Sequence, residues 1–310
     1  MISVVVIGKN EGERLGACLG SVQDALRVLS HEVIYVDSCS TDNSVEIARS
    51  HGARCFLLAE TDTTAGLGRF VGAREARGEY LLFLDGDMQL CPGFAEQALM
   101  AIASRGYDGV CGIREDIYIR QGEAVARCEN YFGCTRERIA PEFGGAILLT
   151  AEALNACGGW SPDTVACEEA ELHARLKATG CRVAELPVPM IVHTDTLRDN
   201  RSALRVLISR RRLGEGQALR CAHAQGHAFS YLRHEREKFL FYALDWLCLI
   251  LLFALGGWGF AAACFVQAVQ LGYFLARGRG RAFVSQKLFF FAFPLGLASY
   301  HVRSRAYAAV

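Results

Sequence analysis

Hydrophobic positions follow two different patterns along this chain. Up to about residue 195 they come in short runs rich in β-branched residues, at residues 2–7, 33–36 and 80–84. Runs that are apolar at every position fit strands buried on both faces of a parallel sheet. Between them, residues 14–22, 45–50 and 68–76 read as helices. Strand alternating with helix predicts an α/β fold built on a doubly wound sheet. Such sheets hold ligands outside the carboxyl ends of their strands. The residues that follow each strand are therefore the first candidates for function: Lys9-Asn10-Glu11, Asp37-Ser38 and Asp85-Gly86-Asp87.

The end of the chain differs in kind. Residues 239–276 are apolar except for Asp245, Gln267 and Gln270. One membrane helix needs about 20 residues, and Gly256-Gly257-Trp258-Gly259 divides the segment in two, so a helical hairpin is expected. Arg233, Arg236 and Lys238 precede it and Arg277, Arg279 and Arg281 follow it, which places both ends on the cytoplasmic side. Residues 283–300 form a third apolar segment that carries Lys287 and Pro294, with Arg303 and Arg305 after it. It either spans or lies in the interface. Upstream, Leu204, Leu207 and Ile208 sit at helical spacing beside Arg201, Arg205 and Arg210–Arg212, the pattern of an amphipathic helix on a membrane surface. The expected division is an α/β domain over 1–195, a basic interfacial segment over 196–237 and membrane helices over 238–310. The first residues lack the features of a signal peptide. The α/β domain is thus expected at the cytoplasmic face of the cell membrane.

Composition narrows the function classes. With 33 basic and 33 acidic residues the formal charge is zero, which argues against a surface built for nucleic acid. At 52% apolar and 21% charged the chain can bury a sizeable core. Thirteen cysteines are scattered with no CxxC spacing, and free thiols buried as small hydrophobes are expected. The turn Gly8-Lys9-Asn10-Glu11-Gly12 is not GxGxxG, which argues against a Rossmann dehydrogenase.

Three clusters carry candidate chemistry. Asp85 and Asp87 end a buried-strand pattern, separated by one glycine, and two nearby carboxylates suit a hard divalent cation such as Mg²⁺ or Mn²⁺. Asp37 ends another strand, where it can accept hydrogen bonds from a base or ribose, while Ser40, Thr41 and Asp42 are expected to cap the next helix. Glu168, Glu169 and Glu171 open a helix with Leu172 and Leu176 on one face. Acids there suit the helix dipole, or one of them serves as a general base.

Taken together, these segments resemble family 2 glycosyltransferases, enzymes of the GT-A fold. The resemblance spans residues 1–195 and rests on four ordered motifs: VVVIGKNEGERLGACLGSV, EVIYVDSCSTDNSVEIA, GRFVGAREARGEYLLFLDGDM and EEAELHARLKATG. The segment FGGAILLTAEALNACGGW is also similar to this family's approach to the catalytic helix. The resemblance implies transfer of a sugar, with inversion, from a nucleotide-diphosphate sugar, by default a UDP-sugar. It implies that Asp37, Asn10 and Glu11 lie at the nucleotide, that Arg69 reaches the donor, and that Asp85 touches ribose or metal-bound water. Asp87 would ligate the metal, completed by His193 after the catalytic helix. Glu169 would be the base, with Glu168 as the alternative and Glu171 a weaker one. The chain departs from the family in its Glu-Glu pair, in Asp37-Ser38 where relatives have Asp-Asp, and in Arg69-Phe70-Val71-Gly72 where many have Arg-Asn-x-Gly. Gln217-Ala218-Leu219-Arg220 resembles the start of the Gln-x-x-Arg-Trp motif of membrane polysaccharide synthases, with Cys221 in place of Trp. A lipid-linked acceptor, the membrane and a role in cell-envelope glycan, glycolipid or lipopolysaccharide assembly follow as expectations. The alternatives are charging of polyprenyl phosphate itself and a catalytically silent membrane scaffold.

Overall fold

The computed structural model describes residues 1–59, 63–196, 209–277 and 280–310. It falls into two compact units, one of residues 1–200 with 301–310 and one of residues 201–300.

The first unit is a mixed sheet with helices on it. Its elements are β1 (Ile2–Gly8), α1 (Leu15–Ala25), β2 (His31–Asp37), α2 (Ser44–Ser50), β3 (Arg54–Leu58), α3 (Ala65–Glu75), β4 (Tyr80–Asp85), β5 (Met88–Leu90) and α4 (Phe94–Arg105). There follow β6 (Gly109–Arg120), β7 (Glu123–Cys128), β8 (Arg138–Ile139), β9 (Ile147–Thr150), α5 (Ala151–Ala156), α6 (Glu168–Ala178), β10 (Val183–Thr196) and, from the end of the chain, β11 (Tyr307–Ala309). The order across the sheet is β11-β3-β2-β1-β4-β9-β6-β10-β5, with β7 beside β6 and β8 beside β10. β3, β2, β1 and β4 run parallel, as the three sequence runs predict. β9 enters antiparallel between β4 and β6. Val4, Val5 and Val6 of β1 are fully buried, which is why this strand reads as an unbroken apolar run.

Glycines set the distance between α3 and the sheet. A Cβ on Gly72 would stand 2.2 Å from Val5 Cγ1, and one on Gly68 3.1 Å from Ile7 Cγ2. The helix backbone therefore lies directly on the Val5 and Ile7 side chains of β1, and Arg69, on the same stretch, is carried to the strand ends. All thirteen cysteines are free thiols.

One expectation is corrected here. Residues 301–310 belong to the first unit and not to a membrane segment. Tyr307–Ala309 pair antiparallel with β3, the Tyr307 hydroxyl donates to Glu75 at 2.6 Å, and the Arg303 amide donates to Asp163 at 2.9 Å. The short alternation after Arg305 gave no sign of this, because one three-residue strand has no periodicity to read.

The second unit is helical. After a 3₁₀ turn at Arg210–Leu213 come α7 (Gly214–Ala224), α8 (Ala228–His234), α9 (Arg236–Ala254), α10 (Gly256–Ala276) and α11 (Gly280–Ser299). The expected break at Gly256 is present, with Leu255 alone between α9 and α10. Gly256–Ala276 and Ala282–Ser299 are long and apolar enough to cross a membrane. A Cβ on Gly216 would stand 2.3 Å from the Phe293 carbonyl oxygen, so glycine lets α7 close onto α11. Gln217 is buried and donates to Ser299 at 3.2 Å, which makes it a packing residue between the same two helices. The proposed surface helix around Arg201, Leu204, Arg205, Leu207 and Ile208 lies outside the described residues.

Candidate active site

The parallel register brings the three strand ends together: Gly8 faces Asp37 on one side of β1 and Ile7 faces Asp85 on the other. Four segments meet there, and each part of the site is placed by a different one.

Arg69 is the centre. Its Nη2 donates to Asp85 Oδ1 at 2.8 Å, its Nη1 to Glu168 Oε1 at 2.8 Å and, less closely, to Glu169 Oε1 at 3.4 Å. The guanidinium lies 5.0 Å from the Trp160 ring centroid. It is buried, and its carboxylate neighbours outweigh that burial and hold it charged. Gly145 makes room for the pair: a Cβ would stand 2.5 Å from Asp85 Oδ2 and 2.6 Å from Arg69 Nη2.

The two glutamates differ. The Glu168 side chain is 7% exposed and committed to Arg69, whereas that of Glu169 is 26% exposed. Burial first, and then the charge of Glu168, push Glu169 up to about 7, against the pull of Arg69. Cys167, just before α6, adopts φ 67°, a left-handed turn that costs a non-glycine residue on the order of 1 kcal/mol and aims the helix start at the crevice. Glu171 is fully buried and forms a two-pronged pair with Arg175 at 2.7 and 2.6 Å. It has no place at the crevice, which corrects its standing as a third candidate base.

On the far side of Asp85 lies a second pair. Asp87 Oδ2 is 3.3 Å from His193 Nε2, and Asp87 Oδ1 is buried with no hydrogen-bond partner among the described residues. His193 Nδ1 lies 2.8 Å from Asp116 Oδ1, and Arg114 donates to the same oxygen at 2.8 Å. Burial opposes the charged imidazole, but Asp87 and then Asp116 outweigh burial and Arg114, and His193 sits above its usual range. A carboxylate behind Nδ1 leaves Nε2 to face a ligand, the arrangement common behind metal-bound histidines. Asp85, grouped with these two on sequence, turns to Arg69 instead. Among the described residues no three His, Cys, Asp or Glu side chains form a metal cage. Asp87 and His193 fit a hard cation that takes its other ligands from phosphate and water.

Glu11 packs on the Asp85-Gly86-Asp87 turn, where a Cβ on Gly86 would stand 3.2 Å from its Cγ. Burial, then the charge of Asp87, raise Glu11 to about 7, with Arg14 opposing. Asp37 is fully buried; it accepts from the Tyr35 hydroxyl at 3.0 Å and the Ser40 amide at 2.7 Å, and so shapes the loop after β2. Asn10, at φ 57°, ties the loops after β1 and β2: its amide donates to Ser40 Oγ at 2.8 Å and its Oδ1 accepts from the Thr41 amide at 2.8 Å. Ser40 and Thr41 thus hold a neighbouring loop and do not cap α2 as expected. Only Asp42 bonds at the start of that helix, to the Ser44 amide at 3.1 Å, and it also accepts from Gly12 at 2.9 Å. The reason is positional: a left-handed Asn10 exposes donors and an acceptor that the adjacent loop satisfies.

Sequence reasoning missed Asp116, Arg114, Trp160 and Gly145. For Asp116 a signal exists: charged residues at 114–116 interrupt a strand pattern. Its partner is visible only in the sheet, where Asp116 and His193 are register neighbours on β6 and β10.

A parallel half-sheet, an antiparallel insertion and an acidic crevice at the strand ends define a GT-A fold. Solved structures agree. A structure of S. aureus TarS residues 1–349 with UDP-GlcNAc has TM-score 0.59 at 15% identity, covering 96% of this chain and 90% of that one. GalNAc-T7, crystallised with UDP, GalNAc and Mn²⁺, has TM-score 0.52 at 17% identity over 64% of this chain and 44% of that one. The family model described as Glycosyl transferase family 2 matches residues 3–159, and the chain belongs to that family. Among curated relatives, 4,4'-diaponeurosporenoate glycosyltransferase of Staphylococcus haemolyticus is 31% identical over 36% of this chain and 31% of its own. Succinoglycan biosynthesis protein ExoA of Rhizobium meliloti is 25% identical over 58% of this chain and 59% of its own. The chain thus matches less than two thirds of the length of these relatives.

Proposed function

We propose that this family 2 glycosyltransferase is an inverting enzyme that moves a sugar from a UDP-sugar to a hydroxyl of a lipid-linked acceptor at the cytoplasmic face of the membrane, in cell-envelope glycan, glycolipid or lipopolysaccharide assembly. The observation that carries this reading is Glu169: a partly exposed carboxyl raised to about 7, beside a buried arginine, across from the Asp87–His193 pair. That is the value a general base needs near neutral pH.

The loops after β1 and β2, with Asn10, Glu11 and Asp37, would take the nucleoside, and Arg69 and Asp85 the ribose and diphosphate side of the donor. Asp87 and His193 would hold Mg²⁺ or Mn²⁺, whose charge neutralises that developing on the leaving diphosphate. Asp116 keeps His193 oriented for that role. Glu169 takes the proton of the acceptor hydroxyl as its oxygen bonds to the anomeric carbon. The bond from that carbon to the phosphate oxygen breaks, its electron pair leaves with UDP, and the configuration inverts in one displacement. A phosphate acceptor is already anionic and needs no base, so the raised glutamate favours a hydroxyl acceptor over charging of polyprenyl phosphate. The solved relatives of this fold that hold UDP-GlcNAc, or UDP with Mn²⁺, support the donor and metal class. The succinoglycan and diaponeurosporenoate relatives support an envelope acceptor.

The test is release of nucleoside diphosphate by detergent-purified protein from a panel of nucleotide-sugars, with Mg²⁺ or Mn²⁺ and membrane lipid extract. Metal-dependent release from one donor, abolished in Asp87→Ala and Glu169→Gln, is expected. Failure of any donor nucleotide to bind with metal present would leave the scaffold reading standing instead.

A further inference from the structure

The path of the chain constrains how its helical unit meets a bilayer. The chain leaves the sheet unit near residue 200 and rejoins it at His301, where β11 completes the sheet on β3. A folded sheet lies on one side of a membrane, so the number of crossings between those points is even. Among the described residues the three longest helices of that interval have 19, 21 and 20 residues, and they cannot all cross.

Each pair of crossings meets an obstacle. If α10 and α11 crossed, Arg277, Arg279 and Arg281 would lie between them on the far side, against the charge rule. If α9 crossed, with α10 or with α11 as its partner, Asp245, nine residues into a 19-residue helix, would sit at mid-membrane. Asp245 accepts from Gln267 at 2.9 Å, from Gln270 at 3.1 Å and from Lys287 of α11. A helix that did not cross would then be held at the bilayer centre by its lysine.

Seen from Asp245, the hairpin has a polar base and an apolar tip. At the base, the Tyr273 hydroxyl donates to Glu237 at 2.9 Å, and Arg277 lies 3.8 Å from Glu237. Between Asp245 and Arg277 there is no charged residue, and the turn at Leu255 falls within that stretch, nearer to Asp245. Ten residues of helix from Asp245 to the turn span about 15 Å at 1.5 Å per residue, which is one leaflet of a hydrocarbon core about 30 Å thick. Phe253 and Trp258 at the tip are 89% and 85% exposed. A connection across the far face of a membrane would be polar, and this one is Phe253-Ala254-Leu255-Gly256-Gly257-Trp258.

We propose that the α9–α10 hairpin enters a single leaflet tip first, with lipid acyl chains around Phe253, Leu255, Trp258 and Phe260, and that the chain crosses the bilayer nowhere. The Asp245–Lys287 pair then marks the headgroup level, where charge is tolerated. This rests on the membrane association proposed above and replaces the expected spanning hairpin with a one-sided one.

Tryptophan depth tests it. Of the three tryptophans, Trp160 is buried in the sheet unit. Trp246→Phe therefore leaves Trp258 as the reporter of the tip, and Trp258→Phe leaves Trp246, beside Asp245, as the reporter of the headgroup level. Each full-length variant is bound to vesicles of phosphatidylcholine and phosphatidylglycerol with bromine either near the glycerol or near the acyl-chain ends. The expected result is greatest loss of Trp258 emission with bromine at the chain ends, and of Trp246 emission with bromine near the glycerol. Greatest quenching of Trp258 near the glycerol, or deep quenching of Trp246, overturns the one-leaflet hairpin and leaves membrane association intact. No quenching of either, in variants that still release UDP, overturns both. If one variant fails to fold, the other reporter and the unmodified chain still separate these outcomes.

Discussion

Glu168 and Glu169 are adjacent and chemically identical, yet their replacement by glutamine should have opposite effects. Glu169 is raised from 4.5 to about 7 by burial and by Glu168. Its folded form therefore binds a proton more tightly than the unfolded chain does. The sign follows: below about pH 4.5 both states are protonated and nothing is lost, and as pH rises through 7 the folded state must carry a charge it disfavours. At about 1.4 kcal/mol per unit, a shift of about 2.5 units sets an upper limit of roughly 3.5 kcal/mol of destabilisation above pH 7, less whatever solvent screens at a side chain 26% exposed. Glu169→Gln removes that charge and should stabilise the sheet unit at pH 8, with a rise in Tm of about 2–4 °C per kcal/mol for a unit of this size. The gain should shrink steeply by about pH 5 and vanish below about pH 4. Glu168→Gln instead leaves Arg69 buried without one of its charged partners, and should cost ~1.5–3 kcal/mol at either pH. Thermal unfolding of the three proteins at the two pH values gives the comparison, and UDP release gives the second readout. In the parent protein that release should fall as pH drops through 7, as Glu169 takes up its proton. A Glu169→Gln variant no more stable than the parent at pH 8, or a parent whose turnover is flat between about pH 5.5 and 8, would refute this assignment of the two glutamates.

Three further outcomes are expected. Asp116→Asn should weaken Mn²⁺ affinity by roughly 10–100-fold, read by titration with the metal and UDP, and leave the fold intact by circular dichroism. Gly145→Ala puts a methyl group 2.5 Å from Asp85 Oδ2 and should open the Arg69–Asp85 pair, with a fall in Tm and in kcat that Gly144→Ala, whose Cβ has 3.4 Å to its nearest neighbour, does not share. Removal of residues 301–310 uncovers the β3 edge and the Phe56 face on which Tyr307 packs at 5.9 Å, and should lower Tm and promote aggregation measurable by light scattering.

The parallel half of the sheet was legible because the central residues of β1, β2 and β4 are buried on both faces and form apolar runs. The candidate site was legible where chemistry follows a strand directly, as at Asp85-Gly86-Asp87. It was not legible where a residue works across the sheet. Asp116 reaches His193 through strands 77 positions apart in sequence, and no local pattern encodes that register. Nor could the sequence separate Glu168 from Glu169, because the difference lies in which one Arg69 claims, 99 or 100 positions away. The spanning hairpin was a natural reading of composition alone. Asp245 in the middle of α9, bonded to Lys287 of α11, is the fact that limits it, while the pairing of the last strand with β3 limits the crossings to an even number.

The departure at Arg69-Phe70-Val71-Gly72 has a structural reason. Arg69 and Gly72 point to the site and the sheet: the first bonds three carboxylates, the second leaves room for Val5. Phe70 faces elsewhere. Its ring lies under two guanidiniums, Arg74 at 5.8 Å and Arg305 at 5.0 Å, and Arg305 belongs to the returning C-terminal segment. An asparagine at this position would offer a short amide where the structure needs an aromatic surface for those two cations. Phe70 thus packs against the returning segment whose strand closes the sheet edge. Arg69, held by Asp85 and Glu168 whether or not its neighbour is polar, keeps its place at the crevice.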